Sequence, residues 1–290
     1  WLGGHPGFPR TDYQPQPANV VTVGQPHYYH DTYGASSPEE NGERAAQEIE
    51  TAILFEGPES VSAVIGEPVS QPLGGVVPPS NYWPLVREIC DKYGVLLIFD
   101  EVITGWGRMG EPFAAQAFDV TPDIITMAKG ITNGVMPLGA VASKEEIYDT
   151  IIEASPTGAV EFFHGYTYSA IPASMAAGLA MQDIIKKENL FERSKEMSPY
   201  FLDCLFTLKD LDIITDIRGY GMMGGIDIRI DERPGKAGYV CFKELFNAGL
   251  SLKATGDCLI LAPPFICEKS HIDEIIEKLR TGISNYSKIL

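Results

Sequence analysis

The chain has 290 residues, of which 44% are hydrophobic and 21% are charged, a composition typical of a globular protein with a real core. Its formal net charge of −17 argues against nucleic-acid binding, because an acidic chain repels the phosphate backbone. No stretch approaches the roughly 18 to 20 apolar residues that a membrane helix needs, so no membrane contact is expected. The five cysteines form no C-x-x-C pair, which predicts reduced thiols and a cytoplasmic location.

The first half of the chain alternates helical segments with short apolar runs. Residues 1–40 are rich in Pro, Gly, Tyr and His and are predicted to be irregular. Asn41 is predicted to cap a helix that follows, since Ala45, Ile49 and Ile53 share one face. A second helix is predicted over residues 82–93. The apolar runs are residues 61–65, 95–99, 123–127 and 138–142.

Apolar strands linked by helices predict an α/β fold. We expect a mixed, mostly parallel sheet with helices on both faces. Ligands of such sheets bind at the carboxyl ends of the strands. Glu67, Asp100 and Lys129 each lie at or just past the end of an apolar run. The sequence therefore predicts a site at this edge of the sheet.

The second half has a different texture, with fewer apolar parallel strands. A helix rich in small residues is predicted over residues 173–185 and a second one over residues 191–208. Strands near residues 213, 225–230 and 259 alternate with helices over residues 237–248 and from residue 271. We expect a large domain over residues 1–185 and a smaller α+β domain over residues 186–290.

The strand-end carboxylate of Asp100 allows more than one chemistry. It could hold the ring nitrogen of pyridoxal 5'-phosphate (PLP) protonated, which makes the ring an electron sink. Together with Glu101 it could instead bind Mg²⁺, as in a P-loop ATPase. The chain contains no GxxxxGK[ST] motif for that ATPase. A plain solvated acid is the third reading.

Lys129 is unusual because it follows an apolar strand, where burial of an ammonium group is costly. A desolvated lysine has a lowered pKa and becomes a nucleophilic amine, which imine chemistry requires. Gly130 lets the backbone pass close to a ligand. The pairing of Lys129 with Asp100 on a nearby strand end favours this chemistry over a lysine that simply reaches solvent.

Two other patterns carry less weight. The string GYGMMG at residues 219–224 spells GxGxxG, but a dinucleotide site needs a helix behind it, and residues 226–230 alternate like a strand. His27 and His30 lie in a Tyr-rich loop without metal-ligand spacing. We interpret these histidines as surface or interface residues and expect no metal site.

Taken in order and spacing, a series of short motifs resembles the class III (ω-amino acid) aminotransferases, which are PLP enzymes of fold type I. The resemblance runs along essentially the whole chain. Its anchors are GEPV at 66–69, FDEVITGWGR at 99–108, AKG at 128–130, HGYTYS at 164–169, RGYGMM at 218–223, GD at 256–257 and APP at 262–264.

The resemblance implies a role for several residues. Lys129 would form the Schiff base (internal aldimine) with PLP and then act as general base and acid. Asp100 would pair with the ring nitrogen, and Val102 would pack on one face of the ring. Thr167 would reach the phosphate of the neighbouring subunit's PLP, which would make the active unit a homodimer. Glu67 would line the substrate side.

The implied reaction moves an amino group from an amine or ω-amino acid to an oxo acid such as pyruvate. An aminomutase or decarboxylase of the same fold would use the same lysine and aspartate, so both remain open. Lys253 stands where the family usually has an arginine that grips the substrate carboxylate. Lysine offers a point charge rather than a bidentate fork, which leaves the substrate open. The segments at residues 70–75 and 169–172 also depart from the family pattern.

The family's phosphate cup and ring-stacking aromatic precede the region that this sequence matches, and the chain begins at Trp1 instead of Met. We therefore expect an N-terminally truncated chain that holds part of a PLP site. An inactive truncated fragment, kept for dimer contacts, is a further alternative.

Overall fold

The computed structural model describes residues 17–158, 167–229 and 235–289. Within these ranges the first half forms a four-stranded sheet in the order β1 to β4, with β1–β3 parallel and β4 antiparallel to β3. The strands are β1 (Ala63–Gly66), β2 (Leu96–Asp100), β3 (Ile124–Met127) and β4 (Ala140–Ser143). The predicted mixed, mostly parallel sheet is confirmed.

In the described part of the first half, four α-helices accompany this sheet: α1 (Pro38–Glu56), α2 (Tyr82–Tyr93), the short α3 (Ala114–Ala117) and α4 (Glu145–Ala154). Leu97 and Phe99 of β2 are fully buried in one hydrophobic core with residues of α1 and α2. Burial of side chains of this size stabilises the fold by about 1.5–3 kcal/mol each. The alternation of buried and half-buried residues along β2 leaves Asp100 on its less buried face.

The predicted cap of the first helix is wrong. The helix begins at Pro38, and the hydroxyl of Ser37 accepts a hydrogen bond from the backbone N–H of Glu40. Proline suits the first helical position because its missing N–H needs no partner there. Asn41 lies inside the helix, fully buried, and its side-chain amide donates to Asp31 at 2.7 Å.

The second half contains α5 (Pro172–Lys187), α6 (Leu190–Phe206), α7 (Ala237–Asn247) and α8 (Lys269–Ser287) around a second sheet. This sheet is antiparallel, in the order β5-β6-β8-β7. Its strands are β5 (Ile214–Tyr220), β6 (Met223–Ile228), β7 (Lys253–Thr255) and β8 (Cys258–Leu261). Their inward side chains share a second core with α6, α7 and α8.

The GxGxxG string spans the β5–β6 hairpin, so the strand predicted behind it is confirmed. Gly221 takes a left-handed conformation at the turn, where an added Cβ would lie 2.5 Å from the carbonyl oxygen of Arg108. The glycine therefore serves a tight turn and a close backbone contact.

The proposed boundary at residue 185 falls near the end of α5. Ser174 of this helix donates to the carbonyl of Pro137 at 2.9 Å, which ties α5 to the first half of the chain. All five cysteines are free and four of them are buried, in agreement with reduced thiols that pack as small apolar groups. None of the described helices combines the length and apolar character needed to span a bilayer.

Candidate active site

The carboxylate of Asp100 is held in a fixed orientation at the end of β2. Its Oδ1 accepts hydrogen bonds from the backbone N–H of Val102 and from the hydroxyl of Thr126, both at 3.1 Å. Thr126 is the register partner of Asp100 on the neighbouring parallel strand. Hydrogen bonds from two elements therefore fix the orientation of this carboxylate. A carboxylate that binds one particular ligand atom needs such a fixed orientation.

Lys129 follows the end of β3 and begins a short 3₁₀ turn, Lys129–Ile131. The residue is exposed to solvent, yet desolvation of its ammonium by the groups around it lowers its pKa. The carboxylates of Asp100 and Glu67 oppose this lowering, whereas the ammonium of Lys253 adds to it. The amine is thus surrounded by the charged groups that the sequence assigned to the same site.

Glu67 follows the end of β1, and its Oε1 accepts a hydrogen bond from the Ser70 hydroxyl at 3.2 Å. Burial raises the pKa of Glu67 to about 7, and the negative charge of Asp100 adds to this effect. The hydrogen bond from Ser70 and the ammonium groups of Lys129 and Lys253 act in the opposite direction. Glu67 therefore changes its charge near neutral pH.

Lys253 is the first residue of β7, so it reaches this group from the second sheet. The turn after Glu67 makes the approach possible. Gly74 and Gly75 have φ values of 100° and 70°, and a Cβ at Gly225 of β6 would lie only 1.9 Å from the carbonyl oxygen of Gly74. Because these glycines have no side chains, the turn after β1 packs directly against the second sheet.

Val102 and Thr167 are the two other predicted site residues, and the structure shows fewer contacts that would assign them a role. Val102 lies half-buried in the turn directly after Asp100, and its backbone orients that carboxylate. Thr167 lies in an exposed turn before α5. Its role toward a neighbouring subunit remains a prediction, and residues 164–166 of the same motif lie outside the described residues.

Glu101 is a buried structural residue whose role the sequence did not reveal. It is fully buried and accepts hydrogen bonds at 2.8 Å from the Thr104 hydroxyl and from the backbone N–H groups of Ala114 and Ala115. Burial raises the pKa of Glu101, while these three hydrogen bonds act against the rise. The residue ties both ends of the loop over residues 101–115 together. An acid directly behind a strand-end acid was the available signal.

Arg108 joins this loop to the second sheet. Its guanidinium donates to the carbonyls of Met222 at 3.0 Å and Pro263 at 2.7 Å, and lies 4.5 Å from the ring centre of Phe265. Burial lowers the pKa of Arg108 to about 10, so the residue still carries its charge at neutral pH. The arginine in the GWGR string was the signal for this junction.

The two loop histidines lie at a second junction. Nε2 of His30 contacts Oδ2 of Asp227 in β6 at 3.0 Å, and His27 lies beside them. Burial and the nearby Arg218 guanidinium lower the pKa of His27 to about 4. Because Arg218 already bonds both oxygens of Asp227, we interpret the group as an internal contact rather than a cation site.

A model of the family "Aminotransferase class-III" matches residues 8–283. The chain belongs to the class III aminotransferase family. An omega-aminotransferase of Caulobacter vibrioides is 41% identical over 267 residues, which cover 91% of this chain and 57% of that protein. A putrescine–pyruvate aminotransferase of Pseudomonas aeruginosa is 37% identical, with 90% and 58% covered.

Solved structures agree with this family assignment. A transaminase with L-alanine superposes with a TM-score of 0.93 at 30% identity, covering 99% of this chain and 70% of that one. The omega transaminase from Pseudomonas jessenii in complex with PMP gives 0.92 at 31% identity, with 98% and 64% covered. This member of the family thus spans rather more than half the length of the curated relatives it matches.

Removal of the charge at Glu67 is expected to lower the pKa of Lys129, and removal of the charge at Lys253 is expected to raise it. Glu67→Gln removes a carboxylate that stabilises the ammonium above about pH 7, so the pKa of Lys129 falls. Lys253→Gln removes a repelling charge, so the pKa rises. We expect about threefold changes in amine reactivity at neutral pH.

The measurement is the pH dependence of reductive methylation at Lys129, followed by peptide mass spectrometry. Lys186, exposed in the last turn of α5, is the internal control. Shifts of the same sign in both variants would contradict the arrangement of charges.

Proposed function

We propose that the protein is a PLP-dependent transaminase that moves an amino group from an amine or ω-amino acid to an oxo acid such as pyruvate. The observation that carries the proposal is the position of two groups at the ends of neighbouring parallel strands. Asp100 presents an oriented carboxylate, and Lys129 presents an amine with a lowered pKa. The names of the relatives, among them omega-, putrescine–pyruvate and beta-alanine–pyruvate aminotransferases, support the same reaction.

The chemistry of these side chains fits PLP. The carboxylate of Asp100 would accept a hydrogen bond from the protonated ring nitrogen, and the amine of Lys129 would bind the aldehyde carbon. The apolar side chain of Val102, next to Asp100, would contact the ring. When bound, PLP supplies an electron sink that stabilises negative charge on the substrate carbon.

Other steps of the reaction, proton transfer and substrate binding, would fall to side chains of the protein. Nζ of Lys129, whose pKa is lowered by desolvation, would accept the proton of the substrate carbon and return it to the neighbouring position. Lys253 would offer its ammonium to a substrate carboxylate as a point charge. Glu67 interacts electrostatically with both lysines and would line the substrate side.

The proposal also includes the oligomeric state of the protein. The active unit would be a homodimer in which Thr167 reaches the phosphate of the neighbouring subunit's PLP. The exposure of the Thr167 turn supports this arrangement, since the turn is open to a partner. We also propose a cytoplasmic location and a boundary between the two domains at residue 185.

The function test combines PLP, pyruvate and amine donors such as putrescine and β-alanine with the protein. Transamination predicts one alanine for each carbonyl product. An aminomutase would form an isomeric amine without alanine, and a decarboxylase would release CO₂ without need of pyruvate. The assay is run on the 290-residue chain and on a longer form that carries the upstream part found in its relatives. Turnover in the longer form alone would identify the shorter chain as an inactive fragment, and turnover in neither would contradict the proposal.

A further inference from the structure

Lys129 and Trp106, neither of them a glycine, take left-handed conformations in the segments that follow β3 and β2. Lys129 has a φ of 45°, and Trp106, in the loop after β2, has a φ of 63°. L-residues adopt this region rarely because Cβ crowds the backbone. Such conformations persist where the surrounding structure enforces them. The surroundings of Lys129 must therefore hold it there.

The enforcing contact is visible at the next residue. A Cβ added to Gly130 would lie 2.6 Å from Cβ of Trp106, 3.1 Å from its Cγ and 3.3 Å from its Cδ1. The backbone behind Lys129 is thus pressed directly against Trp106. Only a residue without a side chain fits there.

Trp106 is itself fixed by its loop. Its backbone N–H donates to the carbonyl of Pro112 at 2.7 Å, and its ring meets that of Phe113 edge-on at 5.6 Å between centres. The buried Glu101 closes the same loop through Ala114 and Ala115. The indole Nε1 is buried without a hydrogen-bond partner in the described part of the chain, so packing holds the ring.

We propose that Trp106 is a positioning residue whose Cβ and ring form a wall behind Gly130, which holds Lys129 in its left-handed conformation and directs its amine toward Asp100 and Glu67. The assignment of Lys129 as the catalytic lysine rests on the proposed function. The effect of Trp106 on the amine can be measured without any cofactor.

The test is a double-mutant cycle read out by the pH dependence of reductive methylation at Lys129 in the 290-residue chain. Gly130→Ala alone is expected to displace the turn, return the pKa of Lys129 toward its ordinary value and lower its reactivity at neutral pH severalfold. Trp106→Gly is expected to do the same, because the wall is gone. In the Trp106→Gly background, Gly130→Ala is expected to have no further effect.

Matched variants separate positioning from a general loss of structure. Trp106→Phe keeps Cβ and a ring and should leave Lys129 nearly unchanged, since the indole N–H is not used. Trp106→Ala keeps Cβ, so Gly130→Ala should still act in that background. Circular dichroism and the reactivity of Lys186 check the fold; if Gly130→Ala does not fold, the comparison of Trp106→Phe with Trp106→Gly decides.

An unchanged pKa of Lys129 in Trp106→Gly would overturn the inference, as would equal effects of Gly130→Ala in the parent protein and in the Trp106→Gly background. PLP trapping on the unsubstituted protein separates this failure from failure of the function. If Lys129 takes the label and Trp106→Gly leaves its pKa unchanged, the positioning role fails and the transaminase proposal stands. If Lys129 takes no label either in the 290-residue chain or in a longer form with the upstream part of its relatives, the transaminase proposal fails independently.

Discussion

Replacement of Lys129 by alanine is expected to abolish transamination. The variant loses both the amine that would hold the cofactor and the group that would move the substrate proton. General acid–base catalysis alone contributes about 10²–10⁴-fold, so the loss should be at least of that size. Lys129 is exposed to solvent, so the fold should remain intact.

The assay for Lys129→Ala is alanine formation from pyruvate, with circular dichroism and thermal unfolding as checks of the fold. Lys129→Arg keeps the positive charge without a nucleophilic amine and should be equally inactive. Lys186→Ala, on an exposed position of α5, should keep full activity. Turnover of Lys129→Ala within about tenfold of the parent protein would sink the assignment.

Asp100→Asn is expected to slow transamination by about 10²–10⁴-fold while Lys129 can still bind the cofactor. A neutral amide does not keep the ring nitrogen protonated, and a neutral ring is a poorer electron sink. The amide oxygen can still accept the hydrogen bonds from Val102 and Thr126, so the turn should keep its shape.

The control for Asp100→Asn is Thr126→Val, which removes one of the two orienting hydrogen bonds but keeps the carboxylate. Its rate loss should be much smaller. Single-turnover rates give the comparison, with cofactor labelling of Lys129 as proof that binding persists. An Asp100→Asn rate equal to that of the parent protein would remove Asp100 from the role beside the ring nitrogen.

The strand ends were readable from the sequence because local patterns determine them. A continuous apolar run predicts a buried parallel strand, and the polar residue that ends it must lie at the sheet edge. The predicted runs correspond to β1–β4 to within a few residues at each end. Asp100 and Lys129 follow directly from this reasoning.

The group around Lys253 was not readable from local patterns. Lys253 and Glu67 are far apart along the chain, and two glycines in the turn after β1 bring them together by direct backbone contact with β6. No periodicity encodes such a contact. Only the family resemblance assigned both residues to one site.

The same limit explains the misplaced helix start and the missed anchors. Asn41 and Ser37 are both good capping residues, and Pro38 decides between them through its fixed φ and missing N–H. Glu101 and Arg108 act through partners in other elements. Their residue types alone do not distinguish an anchor from a surface charge.

The most direct test of the central claim is borohydride trapping. The protein is mixed with PLP, reduced, digested and searched by mass spectrometry for a phosphopyridoxyl-lysine, both as the 290-residue chain and as the longer form with the upstream part of its relatives. We predict that the label in the longer form lies on Lys129. A label on another lysine, or none on Lys129 in either form, would contradict the account of this site as a PLP centre.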